Sequence, residues 1–397
     1  MAARKKGKTM PVILSLTDND LYKFTMQKAV LDRFPGVKVK YRFTNRGEHK
    51  FNSDFLANLN AQIGHMSQLR LTTDESRFLL KTCPFLGDQY VNWLSSYQFD
   101  PSEVSTKVVN DQLELEISGL WERTILWEVP LMAAISECYF AEGDSERKNF
   151  HYNYEPATYR KGDTLARVGV KFSDFGTRRR RSAAIQNLVV AALKQSGKDH
   201  FVGTSNVHFA RLNDVRPIGT MAHEWIMGVS ALESLRHANR YAMYHWSQSF
   251  KGDLGTALTD TFGQFAFWGD FDGYYARLFD SVRHDSGDPI NFGDNVIAHY
   301  RKLGIDPMHK TIIFSDGLDV QKAWEIHAKF FGRINVAFGI GTHFTNDVED
   351  SKALNMVIKM TTCDGVPVVK LSDVPTKATG DKDAIRVAKW TFFGERL

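Results

Sequence analysis

The chain is 397 residues long, with 43% hydrophobic, 12% aromatic and 24% charged residues, a balance that excludes a disordered, collagenous or fibrous chain and gives length for two to three domains or one large barrel with attachments. The formal charge is +4, but Arg4, Lys5, Lys6, Lys8 and Arg178 to Arg181 hold eight of the 50 basic residues, which leaves 42 to face 46 acidic ones. So concentrated a surplus is unlike the broad basic face of a nucleic-acid binder and points to local recognition of anions.

Cys83, Cys138 and Cys363 are far apart, with no CxxC or Cys/His zinc spacing, which fits a reducing compartment. Met1 to Met10 has basic residues but no apolar run behind them, and no stretch approaches the ~18 apolar residues of a membrane span. The expectation is a cytoplasmic, soluble protein.

In chain order, Tyr22, Met26, Ala29 and Val30 follow the spacing of an amphipathic helix behind Asp18 and Asp20, and Phe34-Pro35-Gly36 ends it. Val37 to Phe43 reads as a strand, and Leu113, Leu115 and Ile117 alternate with polar residues as a half-buried strand does. Trp121 to Ala134 is apolar enough to cross the core. From about residue 168 short apolar runs recur: Val170 to Asp174, Phe201 to Thr204, Pro217 to Thr220, Ala257 to Asp260, Val282 to Asp285, Ile312 to Asp316, Val336 to Gly339 and Met356 to Lys359. Most of them end in Gly, Ser, Thr, Asp or His. Most gaps hold a helix, as where Ile185, Leu188, Val189, Ala192 and Leu193 repeat before Gly197.

Strand, polar tip and helix in repetition predict an α/β fold: an irregular (β/α) barrel, residues 136–369, with an α+β N-terminal domain, residues 1–135, packed against it and joined by the C-terminal segment 370–397. A buried core helix is the alternative for some of the short runs. In such folds the polar tips converge on one face and carry the site.

Four tips stand out. Asp174-Phe175-Gly176-Thr177 runs into Arg178 to Arg181 and a helix, where arginines oppose the helix dipole unless an anion sits there; a solvated charge run is the alternative. Gly339-Ile340-Gly341-Thr342 lets backbone amides approach an anion, or is simply a tight turn. Arg283-His284-Asp285-Ser286-Gly287-Asp288 can fix a carboxylate through Arg283 and ribose hydroxyls or a magnesium ion's water shell through its acids, or cap a turn locally. His223, beside Glu224 and facing the Asp260 tip, combines an imidazole with carboxylates that fix its tautomer and sharpen its nucleophilic nitrogen.

Together with Thr17-Asp18-Asn19-Asp20-Leu21-Tyr22-Lys23, Tyr41 to Gly47, Gly203-Thr204-Ser205-Asn206, Gly219 to Trp225 and Phe314-Ser315-Asp316, these segments resemble the nicotinate phosphoribosyltransferases, in family order from Ser15 to about Lys377. The resemblance implies an enzyme that joins nicotinate to 5-phosphoribosyl 1-diphosphate, coupled to ATP hydrolysis through a phosphohistidine at His223, with magnesium present and no nucleic acid or membrane as partner. It implies that Phe175 and Tyr22 stack on the pyridine ring, Tyr22 coming from the neighbouring subunit in dimeric relatives, so that a homodimer stays open here. Arg283 then holds the nicotinate carboxylate or a nearby phosphate; Gly339, Gly341 and Thr342 seat the 5-phosphate; Arg178 with Arg42 or Arg46 serves the diphosphate. Asp260 and Asp285 order ribose, His223 and magnesium, with Glu224 and Ser286 beside them. Where amide-using relatives place an acid after Gly-Thr, this chain has Ser205-Asn206 behind Thr204, which favours nicotinate over nicotinamide by removing a like-charge contact. Two rivals remain: a decarboxylating quinolinate enzyme, which needs a second carboxylate site and no ATP, and a nucleic-acid-binding module built on the two basic clusters, which would show steep salt dependence.

Overall fold

The computed structural model describes residues 10–144, 150–349 and 351–394; the basic residues Arg4 to Lys8 lie outside them. Among the described residues, twelve strands form two sheets: β1 (Lys38–Asn45), β2 (Val104–Val109), β3 (Gln112–Leu120), β4 (Phe172–Asp174), β5 (Phe201–Thr204), β6 (Arg216–Pro217), β7 (Thr256–Leu258), β8 (Ser281–His284), β9 (Thr311–Phe314), β10 (Asn335–Ile340), β11 (Met356–Cys363) and β12 (Val366–Pro367).

The first sheet is antiparallel, in the order β12-β11-β1-β3-β2. Leu113, Leu115 and Ile117 turn their side chains into the core, as their alternation requires. Asn110 and Asp111 join β2 to β3 with φ of 51° and 61°, the two left-handed residues of a tight hairpin turn. The helix Leu21–Arg33 buries Phe24, Met26, Ala29 and Val30, and Gly36 at φ 82° turns the chain into β1. Trp121, Ile125, Leu126, Trp127 and Leu131 to Ile135 are all buried, so this segment does cross the core.

The second sheet is parallel throughout, in the order β6-β5-β4-β10-β9-β8-β7, and curls into a half barrel. Together the two sheets give the expected α/β class, a barrel-like unit beside an α+β one. Seven of the eight apolar runs supply its strands. The eighth, Met356 to Lys359, does not: β11 pairs antiparallel with β1 from Val39↔Cys363 to Asn45↔Met356. Between β10 and β11 the only helix among the described residues is Thr342–Thr345, too short for the crossover that a parallel neighbour needs. An apolar run specifies a strand but not its partner.

Beyond β12 the chain runs along the barrel half. Leu371 N donates to Thr261 O at 2.8 Å, and the helix Lys382–Phe393 lays Phe392 on Phe262 with centroids 4.8 Å apart. No helix of the described residues is long and apolar enough to cross a membrane.

Candidate active site

A cavity of about 740 Å³ opens where the C-terminal tips of β4, β8, β9 and β10 meet the antiparallel sheet. Its lining includes Tyr22, Phe175, Arg178, His223, Glu224, Arg283, Asp285, Gly339, Gly341 and Thr342 from the sequence reading. Tyr22 and Phe175 of one chain face the same space.

Phe175 follows β4, and its ring lies against Gly339 of β10. A Cβ at residue 339 would sit 2.3 Å from that ring, so glycine makes the space that Phe175 fills. Arg283 reaches over the ring with its guanidinium carbon 6.0 Å from the centroid. Its Nη2 donates to Asp285 Oδ1 at 2.9 Å and its Nε to Ser315 Oγ at 2.8 Å. Arg178 lies within electrostatic reach of Tyr22, Glu128, Asp20 and Asp285. An aromatic plate with a guanidinium nearby suits a flat, anionic ring.

His223 opens the helix His223–Leu232. Its Nε2 is 2.8 Å from Asp260 Oδ1 and 3.6 Å from Asp285 Oδ2. The other oxygen of Asp260 accepts from Ser286 Oγ at 2.7 Å and pairs with Lys370 Nζ at 2.9 Å. Burial, then the Lys370 charge, pulls the imidazole down to about 4, so His223 is neutral at neutral pH. For Asp260, burial acts upward, but His223 and Lys370 outweigh it and hold the carboxyl well below the usual range. An ionised Asp260 accepts a hydrogen bond from Nε2–H, which leaves Nδ1 with its lone pair and, among the described residues, no hydrogen-bond partner, on a residue that lines the cavity. Asp285 is likewise held low, burial being outweighed by Arg283. The donor atoms of His223, Asp260 and Asp285 lie within 4.8 Å of one another, a cluster with the chemistry of a divalent-cation site.

Other predicted residues lie elsewhere. Glu224 lines the cavity, yet its oxygens are committed to Lys23, to Tyr41 OH and, at 2.8 Å, to Trp121 Nε1. Thr204 and Ser205 are buried behind the cavity: Thr204 Oγ1 donates to Asp174 Oδ2 and Ser205 Oγ to Asp20 Oδ1, each at 2.7 Å, while Asn206 Nδ2 donates to Asp18 Oδ1 at 2.8 Å. Ser286 Oγ donates to Asp260 and accepts from Ser372 Oγ at 2.9 Å and Asp373 N at 3.2 Å. Arg42 points to solvent on β1, 3.9 Å from Glu116, whereas Arg46 lines the cavity. The arginine run divides: Arg178 and Arg179 line the cavity, while Arg180 and Arg181 are buried. The helix that follows is capped by Ser182, whose Oγ accepts from Ile185 N at 3.2 Å.

Sequence reasoning missed Lys359 and Lys370, which line the cavity from β11 and the segment after β12, and Lys377, paired there with Asp316 at 2.8 Å. Burial lowers Lys359 to about 8. A lysine inside Met356 to Met360 or ending Val368-Val369 was the available signal, since a charge in an apolar run needs a reason to be there.

A cavity at the strand tips of a parallel sheet, lined by Arg46, Arg178, Arg179, Arg283, Lys359 and Lys370 and holding a neutral histidine, suits anionic, phosphorylated ligands. Comparison with known proteins narrows this. The nicotinate phosphoribosyltransferase (NAPRTase) family model matches residues 170–395, and the model of the NAPRTase N-terminal domain matches residues 17–136. The nicotinate phosphoribosyltransferase of Chromohalobacter salexigens is 50% identical over 94% of this chain and 97% of its own, and that of Methanosarcina acetivorans 46% identical over 96% and 98%. The crystal structure of the Porphyromonas gingivalis nicotinate phosphoribosyltransferase superimposes with a TM-score of 0.93 at 39% identity, covering 96% of this chain and 100% of that one; the Vibrio cholerae structure gives 0.92 at 38%, covering 98% and 95%. The chain belongs to the nicotinate phosphoribosyltransferase family.

Proposed function

We propose that the protein makes nicotinate mononucleotide from nicotinate and 5-phosphoribosyl 1-diphosphate, with ATP hydrolysis coupled through a phosphohistidine at His223, the first step of NAD salvage from nicotinate. The observation that carries this reading is the placement, in one cavity of a chain of this family, of the Phe175–Arg283 cage and of a neutral His223 with its Nδ1 free.

His223 Nδ1 attacks the γ-phosphorus of ATP; the N–P bond forms as the bond to ADP oxygen breaks. The ring gains positive charge as it is phosphorylated, and Asp260, already ionised at Nε2–H, stabilises that charge where it develops. In the transfer, the pyridine nitrogen attacks the anomeric carbon as the bond to diphosphate breaks. The nucleophile needs no base, so the chain's contribution is placement: Tyr22 and Phe175 hold the ring, Arg283 its carboxylate, and Arg178, Arg179 and Arg46 the leaving group. Gly341 and Thr342 border the 5-phosphate. Water then cleaves the phosphohistidine. Asp260 and Asp285 suit a hard divalent ion, and magnesium there would neutralise polyphosphate charge.

The test mixes protein, nicotinate, phosphoribosyl diphosphate, magnesium and labelled ATP and follows mononucleotide and ADP together. Both are expected in the presence of nicotinate; absence of a nicotinate-dependent product overturns the reading, and activity on quinolinate without ATP would favour the decarboxylating rival. The cage makes its own prediction. Gly339→Ala drives a methyl into the Phe175 ring and is expected to raise KM for nicotinate on the order of 10-fold. An unchanged KM would show that the ring does not stack on the substrate.

A further inference from the structure

Ser315, just past the end of β9, has no part in the chemistry so far. Its Oγ accepts from Arg283 Nε at 2.8 Å and lies 2.8 Å from Asp285 Oδ1, the same oxygen that accepts from Arg283 Nη2 at 2.9 Å. The His284 carbonyl is 3.0 Å from Oγ but already accepts the Ser315 amide at 3.1 Å. A carboxylate is the stronger acceptor, so the hydroxyl proton goes to Asp285. The three side chains close a ring: Arg283 Nε–H to Ser315, Ser315 O–H to Asp285, and Arg283 Nη2–H back to Asp285.

What the ring prevents is as informative as what it holds. Arg283 and Asp285 stand two residues apart at one strand tip, and a guanidinium beside a carboxylate pairs with it through two parallel N–H groups when nothing interferes. With Nε taken by Ser315, that side-on pairing cannot form, and Nη1 has no hydrogen-bond partner among the described residues, on a guanidinium whose carbon is 6.0 Å from the Phe175 centroid. We propose that Ser315 is a positioning residue that sets preference for a pyridine carboxylate over a carboxamide, by keeping Arg283 from folding onto Asp285. It presupposes nicotinate as the pyridine substrate. A carboxylate draws on the charge and fork geometry of Arg283, whereas a neutral carboxamide gains little from either, so loss of the hydroxyl falls on the acid.

The experiment compares wild type, Ser315→Ala and Ser315→Thr in steady-state assays with nicotinate and with nicotinamide. Ser315→Ala is expected to raise KM for nicotinate on the order of 10-fold while kcat changes by less than about threefold and the nicotinamide rate is unmoved. Ser315→Thr keeps the hydroxyl and is expected to stay near wild type. Ser315→Cys, whose thiol is a weak acceptor, is expected to fall between them and carries the test if the alanine variant does not fold. A variant lacking the hydroxyl whose nicotinate preference matches wild type within about twofold overturns the proposal, as does a threonine variant no better than alanine. Wild type is read first: if it forms nothing from nicotinate, the proposed function falls and takes the role of Ser315 with it; if it is active, an unchanged variant removes Ser315 alone.

Discussion

His223→Gln is expected to abolish ATP coupling and protein-bound phosphate while leaving a slow, uncoupled synthesis of mononucleotide. Glutamine is the informative replacement because its amide nitrogen stands about where Nε2 does and can still donate to Asp260, which keeps its partners Ser286 and Lys370. What disappears is the nucleophile at Nδ1. Nicotinate-stimulated ADP release should fall by on the order of 10³-fold, the scale seen when a covalent nucleophile is removed and binding is retained. The transfer half keeps its ring cage, so KM for nicotinate should move little. Acid-labile label surviving on the glutamine variant would place the phosphoryl acceptor elsewhere; loss of all synthesis with binding intact would mean that His223 acts in the transfer itself.

Much of this site could be read from the chain because strand tips in a parallel sheet end in recognisable residues. Asp174-Phe175, Arg283-His284-Asp285 and Gly339-Ile340-Gly341 each follow an apolar run, and β4, β8 and β10 bring them to one cavity. Two things were not legible. The first is partnership: Met356 to Lys359 looks like the other runs, and only the missing crossover helix sends it to β1, carrying Lys359 into the cavity from the opposite side. The second is direction. Ser205 follows Thr204 at a strand tip as a substrate ligand should, but Asp20, brought in by the N-terminal segment some 185 positions earlier, takes its hydroxyl. Ser205 and Asn206 are thus engaged by Asp20 and Asp18, whereas Arg283 lines the cavity.

The arginine run shows the same limit and leads to the largest expected effect on stability. Arg178 to Arg181 read as one cationic cluster, yet Arg180 is wholly buried, donating to Asp18 at 2.6 and 2.9 Å and to Val12 O at 2.9 Å, with its guanidinium over Phe209 and Nε 3.8 Å from Glu137. This ties the N-terminal segment to the loop that presents Arg178 and Arg179. Arg180→Met is expected to cost about 3–5 kcal/mol, because it strands Asp18 as a buried charge rather than merely deleting an attraction. Thermal unfolding at pH 8 should move down by about 5 °C or more. The pH dependence has a definite sign. In the wild type, burial acts to raise Asp18, but Arg180 outweighs it and holds the carboxyl below its ordinary range, so its contribution is fully present from pH 5 to 8 and is lost only in strong acid. Without Arg180, the Asn206 hydrogen bond and the His208 charge remain, but burial becomes the larger influence; the folded state then binds a proton more tightly than the unfolded chain, and stability rises as pH falls. Glu137, which burial already lifts to about 7, moves the same way. The deficit of the variant should therefore shrink between pH 8 and pH 5, and Asp18→Asn combined with Arg180→Met should recover part of it at pH 8. A deficit independent of pH, or a double variant as weak as the sum of the singles, would show that Arg180 stabilises by packing on Phe209 rather than by its charge.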